Sequence, residues 1–422
     1  MGYLLLLIYS LLAPVIAALY AVFFLLSPRR ALMKGLGGEL RERAGLSLPS
    51  LPARPVWLHA ASMGEVKAVS KLAPRLAELF KAPLLFTSST AAGRAEAARL
   101  PAQARLAPLD FYPLAASFIK AARPLMLVIV ETEIWPATLY AAARAGVPVF
   151  LVNARISGST SLLYRVLAPL SRLAFSGVKA VLAQSERDAA LFAALPGLAG
   201  KVSVTGNLKH DMLGVSAAGR DRVIEFITAS GWAGAPVFTA GSTHPEEEPV
   251  IVDAWLRAKE KAPGLKLVLV PRHLERLGET EALLADRGIA FTRWSEAGKA
   301  PAADCLLADA MGLLQAFYSE SAVCFVGGTL DDTGGHNLLE PALFSRPAIF
   351  GPNYRNARRA GEALLKQKGG FLAETAFQMA EILGLLLTDP AALQAARDNS
   401  AKTLASLRGA TEKTIQAISS NL

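Results

Sequence analysis

The stretch Ala322-Val-Cys-Phe-Val-Gly-Gly-Thr-Leu-Asp-Asp-Thr-Gly-Gly-His-Asn-Leu-Leu-Glu-Pro341 decides the fold class. Residues 322–326 form a short apolar run that stops at paired glycines, which predicts a buried strand. Gly327, Gly328, Gly334 and Gly335 then make a loop, and a helix is expected from His336 or Asn337 toward Phe344. Strand, glycine loop and helix start together can hold a phosphate, because glycines let backbone approach and free N–H groups face the anion. An ordinary βα turn would carry the same glycines. Glu340 beside Asn337 favours the nucleotide reading. A carboxylate there would repel phosphate but can accept hydrogen bonds from two ribose hydroxyls.

The same alternation runs outward along the chain. Strands are expected at residues 56–61, 84–88, 125–130, 147–152 and 180–184, and again at 236–240, 266–270 and 348–350. Helices are expected between them, including 65–80, 90–100 and 135–145. Two consecutive series predict two α/β domains, each with a parallel sheet covered on both faces. Ligands in such sheets sit at the carboxyl ends of strands. Residues 206–219 contain turn residues and read as the crossing between the domains.

Hydrophobic residues are 52% of the chain and charged ones 19%, which excludes a disordered chain. The net charge of +9 implies an anionic partner. No Lys/Arg block with interleaved aromatics occurs, so nucleic acid is not expected. Cys305 and Cys324 lie in or beside apolar runs with no zinc or redox spacing and read as buried free thiols. Residues 3–26 are almost wholly apolar, enough for roughly 36 Å of helix, which spans a bilayer. Arg29, Arg30, Lys34, Arg41 and Arg43 follow. They place the body of the chain on the cytoplasmic side of one N-terminal anchor and near anionic headgroups.

Polar residues collect after the strands. Trp57-Leu-His-Ala-Ala-Ser-Met-Gly-Glu65 puts Glu65 in the first turn of a helix, as a dipole-complementing carboxylate or as a general base. Glu131-Thr-Glu-Ile-Trp-Pro136 places two carboxylates after an apolar strand, one expected to cap a helix and the other to face a ligand. Asn153-Ala-Arg-Ile-Ser157 adds a cation and hydrogen-bonding groups. Gln184-Ser-Glu-Arg-Asp188 reads as a helix cap. Thr205-Gly-Asn-Leu-Lys-His-Asp211 carries Lys209, either solvated or placed to reach a leaving phosphate. Ala240-Gly-Ser-Thr-His-Pro-Glu-Glu-Glu248 suits phosphate oxygens, and Arg272 in Val270-Pro-Arg-His273 can pair with a phosphate. The five histidines lie in or beside loops, with no metal-ligand spacing.

These motifs, with Gly-Gly-His-Asn-Leu-Leu-Glu-Pro and Gly-Pro-Asn-Tyr-Arg-Asn, occur in an order that resembles the 3-deoxy-D-manno-octulosonic acid (Kdo) transferases of Gram-negative bacteria, from about residue 31 to 368. The resemblance implies a GT-B fold, with two Rossmann-like domains facing a cleft after one N-terminal transmembrane helix. The division expected is an anchor at 1–27, an acceptor domain at 28–212 and a CMP-Kdo-binding domain at 213–422. It implies an inverting glycosyltransferase moving Kdo from CMP-Kdo to a phosphorylated lipid A precursor at the inner membrane, in lipopolysaccharide synthesis, with no cofactor and no metal. Glu65 falls on the general base, and Glu131 and Lys209 on transition-state stabilisers. Pro271, Arg272, Met311, Gly312, Leu313, Asn337, Leu338, Leu339 and Glu340 fall on CMP-binding positions. Leu313 departs from the glutamate common in the family. The rival classes are a GT-B-type sugar-nucleotide epimerase and a non-catalytic nucleotide-binding membrane scaffold.

Overall fold

The computed structural model describes residues 1–12, 36–43, 53–216, 218–297 and 303–422. The chain divides into two units, one of Met1–Met212 with Arg408–Leu422 and one of Leu213–Leu407. The second domain expected to reach residue 422 therefore ends earlier. Asp211 accepts hydrogen bonds from the backbone N–H groups of Gly409 (2.7 Å) and Thr411 (2.6 Å), at the start of helix Ala410–Ser420. Ala410 and Ile418 are buried in the first unit's core, so this helix completes that unit.

The first unit holds seven parallel strands: β1 Val56–His59, β2 Leu84–Ser88, β3 Ala102–Leu106, β4 Met126–Val130, β5 Val149–Ala154, β6 Val178–Ala183 and β7 Val202–Val204. Their order is β3-β2-β1-β4-β5-β6-β7. Strand β4 explains the pattern. Leu127 and Ile129 enter one buried cluster, while Met126, Val128 and Val130 enter the cluster on the other face. Both faces of the sheet are covered, so the strand is apolar throughout rather than alternating.

The second unit holds β8 Val237–Thr243, β9 Lys266–Pro271, β10 Phe291–Arg293, β11 Cys305–Leu307, β12 Val323–Val326, β13 Ala348–Phe350 and β14 Gly370–Leu372. They are parallel, in the order β10-β11-β9-β8-β12-β13-β14. The chain order turns outward in opposite directions from β1 and β4 in the first sheet and from β8 and β12 in the second. Such switch points leave a crevice at the carboxyl ends of the strands.

Two expected helices are corrected. The helix at 65–80 is two, Met63–Ala68 and Leu72–Phe80, because Pro74 lacks an N–H and is tolerated only in a first turn. The helix expected from 336 toward 344 is a turn followed by the 3-10 helix Pro341–Phe344; Pro341 again begins the element. Cys305 and Cys324 are buried free thiols, and burial pushes both up to about 12.

Of the expected membrane anchor, residues 13–26 with Arg29, Arg30 and Lys34 lie outside the described residues. Helix Gly2–Leu12 is described, and it packs on the first unit through Leu6 against Ala137 and Leu170. The Tyr9 hydroxyl donates to Asp110 at 2.8 Å. Among the described residues no single helix is long and apolar enough to cross a membrane.

Candidate functional site

The crevice of the first sheet is built by the loops after β1 and β4. Ser62 caps helix Met63–Ala68, its hydroxyl accepting from the Glu65 N–H. The Glu65 carboxylate reaches back, accepting from the Ala61 N–H at 2.8 Å and from the Ser62 hydroxyl at 3.0 Å. This reciprocal cap fixes the side chain's rotamer. Glu65 is half-buried, and burial raises its pKa above the usual carboxylate value; the two hydrogen bonds oppose the rise, and Glu131 and Glu133 add to it.

Glu131 follows β4 with φ +60, in the left-handed region that costs a non-glycine residue about 1–3 kcal/mol. Its N–H is held by the Val152 carbonyl at 2.9 Å. Its carboxylate takes the Lys209 ammonium at 2.8 Å and the Asn153 amide at 3.4 Å. Asn153, at φ +50 and fully buried, also accepts from the Leu208 N–H at 2.9 Å, which orients the short helix carrying Lys209. Two residues in left-handed backbone thus hold one carboxylate–ammonium pair, and the charge of its Glu131 adds to the raised pKa of Glu65.

Neither carboxylate of the Glu131–Glu133 pair caps the following helix. Asp110 does so, accepting from the N–H groups of Ala137 (3.1 Å) and Thr138 (2.7 Å). Glu133 instead approaches His59 Nε2 at 3.7 Å. The Trp135 indole N–H donates to that same nitrogen at 3.3 Å, so the neutral ring carries its proton on Nδ1 and donates to Thr87 at 3.0 Å. A cavity of about 250 Å³ opens beside His59 and Trp135, with mainly apolar walls including Pro108, Leu127 and Ile129.

In the second unit, the glycine loop after β12 has a different filling from the one expected. Glu247, wholly buried, accepts from the N–H groups of Gly328 (2.8 Å), Thr329 (2.8 Å), Leu330 (2.9 Å) and His244 (3.0 Å). The acidic start of helix Glu248–Lys261 therefore fills the cradle that those amides would offer a phosphate. Glu248 is buried too and accepts from the Thr243 hydroxyl at 2.9 Å. Glycine is required here by the close packing. A Cβ on Gly327 would lie 2.1 Å from the Ser242 carbonyl oxygen, and Gly328 has φ +70.

Pro271 ends β9, and exposed Arg272 follows with no ion pair among the described residues. Asn337 donates to Glu340 at 3.3 Å, and Glu340, half-buried, has its pKa raised by burial against that bond. Leu338 and Leu339 are core side chains, so only their backbone faces outward contacts. Met311 is exposed, Gly312 has φ +84, and Leu313 is buried against Val223 and Phe317. Leu313 thus points its side chain into the core. Among the described residues no group of three or more His, Cys, Asp or Glu is placed to hold a metal ion.

Residues 38–212 match the family profile described as 3-Deoxy-D-manno-octulosonic-acid transferase (kdotransferase). The 3-deoxy-D-manno-octulosonic acid transferase of Bordetella pertussis is 34% identical over 399 residues, covering 89% of this chain and 89% of that protein. The enzyme of the same name from Chlamydophila psittaci is 32% identical, covering 82% and 81%. The chain belongs to the Kdo transferase family. The likeness extends beyond the family in fold alone. The UDP-GlcNAc 2-epimerase of Neisseria meningitidis, solved with UDP-GlcNAc, is 15% identical with a TM-score of 0.56, covering 87% of this chain and 100% of that one. The two α/β units are therefore GT-B-like, an architecture shared with epimerases.

Within this Kdo transferase the fold brings Glu65, Glu131 and Lys209 together at one sheet's crevice. In the second unit, Pro271 and Arg272 follow β9, beside the crevice between β8 and β12, while the segment of Asn337 to Glu340 comes from the chain after β12. Sequence reasoning missed Asp110 as a helix cap and Glu247 as the filler of the glycine loop. It also treated the histidines as unclustered, whereas His244, His273 and His336 meet in space. Their common position after β8, β9 and β12 was the available signal.

Proposed function

We propose that this glycosyltransferase moves Kdo from CMP-Kdo to a phosphorylated lipid A precursor, with inversion. Glu65 takes the proton of the acceptor hydroxyl as its oxygen attacks the anomeric carbon. The anomeric C–O bond to phosphate breaks, and CMP leaves with the electron pair. Lys209, positioned by Glu131, offsets the charge that develops. The single observation that carries the reading is that Glu131, whose charge adds to the raised pKa of Glu65, itself holds the Lys209 ammonium at 2.8 Å. Incubation with CMP-Kdo and the lipid acceptor, followed by a search for a joined product, tests it. An epimerase would return an altered sugar nucleotide and leave the lipid unchanged.

Glu340 and Asn337 are assigned to the cytidine ribose, beside Pro271, Arg272 and the backbone of Met311 to Leu313. Glu340→Ala is expected to weaken CMP binding by roughly 1–3 kcal/mol, the usual value of hydrogen bonds to a charged group. Calorimetry with CMP measures this, and unchanged affinity removes Glu340 from the ribose site.

The inner membrane is the proposed location, with the catalytic units on its cytoplasmic face. Two observations support it. Helix Gly2–Leu12 buries Leu6 but exposes Leu4, Leu7, Leu11 and Leu12, and helix Gly158–Val166 exposes Leu162, Leu163 and Val166. Apolar side chains on the outer face of a docked helix suit a lipid surface. Deleting residues 1–27 removes Leu6 and the Tyr9–Asp110 bond, so the first unit should lose about 2–4 kcal/mol. CMP affinity should remain, because every residue assigned to CMP lies in the second unit. Thermal melting and calorimetry of the truncated chain test both halves of that statement.

A further inference from the structure

Three histidines of the second unit meet at the crevice between β8 and β12. His244 follows β8, His273 follows β9, and His336 lies in the loop after β12. The His244 and His336 rings stack at 26° with centroids 5.3 Å apart, and their Nε2 atoms are 3.0 Å apart. His244 Nδ1 lies 3.2 Å from Asp331. Asp331 is itself held by the Thr333 N–H (3.0 Å) and hydroxyl (2.8 Å). His273 meets the His244 ring edge-on at 5.8 Å.

These contacts fix the protons. A carboxylate only accepts, so His244 carries its proton on Nδ1 and donates to Asp331. Its Nε2 is then an acceptor, and His336 must donate from Nε2. With both rings in the neutral form, Nδ1 of His336 is left without a proton. The row Asp331–His244–His336 can therefore accept one proton without breaking any of its bonds. Burial, His244, Arg272 and His273 hold the His336 pKa below its usual value, and Asp331 opposes them. The remaining charged groups at the cluster are Glu247, which accepts from the His244 backbone N–H, and Glu275, 3.2 Å from His273.

We propose that the Asp331–His244–His336 row takes up a proton when the nucleotide's phosphate binds, presenting His336 to that phosphate as an imidazolium. This rests on the nucleotide reading of Arg272 and Asn337, the neighbours of the cluster. The proton comes from solvent, adds to His336 Nδ1 and returns to solvent when CMP departs. An anion beside a ring stabilises its charged form, so the docked phosphate supplies what the free site lacks. His336 touches the ligand, while His244 and Asp331 are positioning residues that fix which nitrogen is free. The leaving phosphate thereby gains a cation that the empty site does not carry.

Calorimetric titration of the full chain with cytidine 5′-methylphosphate tests this. That diester has no proton of its own to gain near neutral pH. Repeating the titration in buffers of different ionisation enthalpy counts protons. The expected result is net uptake approaching one proton per bound nucleotide, with affinity falling by up to about tenfold per pH unit as pH rises. His336→Gln is expected to bind roughly 10–100-fold more weakly, the value of a lost bond to a charged group, with no uptake. His244→Asn keeps an acceptor for the His336 Nε2 proton and leaves Nδ1 free, so it is expected to keep the uptake. Binding by the wild-type chain without proton exchange overturns the inference and leaves the nucleotide reading standing. Uptake that persists unchanged in His336→Gln, or that is lost in His244→Asn, overturns it as well. Absence of any binding overturns the nucleotide reading and this inference together. If a variant fails to fold, the wild-type proton count still decides.

Discussion

Glu65→Gln is expected to keep the fold and donor affinity while losing about 10²–10⁴-fold in transfer rate, the usual contribution of a general base. Gln is nearly isosteric and keeps an oxygen for the Ala61 N–H or the Ser62 hydroxyl, which now donate to Glu65 at 2.8 and 3.0 Å. It cannot take a proton. The direction of the Glu65 shift separates this role from mere helix capping. A carboxyl whose pKa is raised on folding stabilises the fold below its unfolded pKa, and that stability is lost as pH rises through the folded value. In its charged form Glu65 is thus an electrostatic burden on the fold, with burial the main cause. The mutant should melt no lower by more than about 1 kcal/mol, the limit for a lost helix-dipole contact. The same shift sets the acid limb of the wild-type rate profile. Activity should fall as pH drops through a value above the usual carboxylate range, and that limb should vanish in Glu65→Gln. Near wild-type turnover by the mutant would move the base to Glu131.

Glu247→Ala should have the largest effect on stability. It removes the acceptor of four backbone N–H groups, at His244, Gly328, Thr329 and Leu330, from a wholly buried position. Each unpaired buried group costs about 1–3 kcal/mol. Local relaxation and entering water recover part of this, so a loss on the order of 3–5 kcal/mol is expected. Glu247→Gln is a second test, because its NH₂ would face N–H donors in the same cradle. CMP binding should weaken in both, since the loop also carries His336 and Asn337. Denaturant titration of the second unit beside CMP calorimetry measures the two effects. Unchanged midpoint and affinity would mean that the cradle is held by its glycines alone.

Much of the fold was legible because parallel strands covered on both faces are apolar runs. Leu84–Ser88 and Ala348–Phe350 coincide with the expected ranges. Strand Ala102–Leu106 was not seen. It forms the sheet edge, most of its residues are only partly buried, and Ala-Gln-Ala-Arg-Leu has no apolar run. Strands Phe291–Arg293 and Gly370–Leu372 are edges of the other sheet and only three residues long. The cap at Ser185 was legible, its hydroxyl accepting from the Asp188 N–H at 3.1 Å. It needs only neighbours in sequence.

The candidate site was legible as a set of residues and not as contacts. Glu65 and Lys209 announce themselves by standing after strands. Their juxtaposition with Glu131 depends on the order β1-β4-β5, which a linear pattern does not contain. The glycine loop misled for the same reason. Its amides looked available to a ligand, but Glu247 folds onto them from the helix after β8. Asp211 was read within a motif beside Lys209, yet its carboxylate caps helix Ala410–Ser420 from the far end of the chain.

The central claim is the transfer itself. Mass spectrometry of the lipid after incubating purified full-length protein with CMP-Kdo and a phosphorylated lipid A precursor tests it most directly. A lipid heavier by one or more whole Kdo residues, formed as CMP is released, is the expected product, and it should be nearly absent with Glu65→Gln. An unmodified lipid alongside CMP-Kdo that is intact, hydrolysed or epimerised would contradict the account.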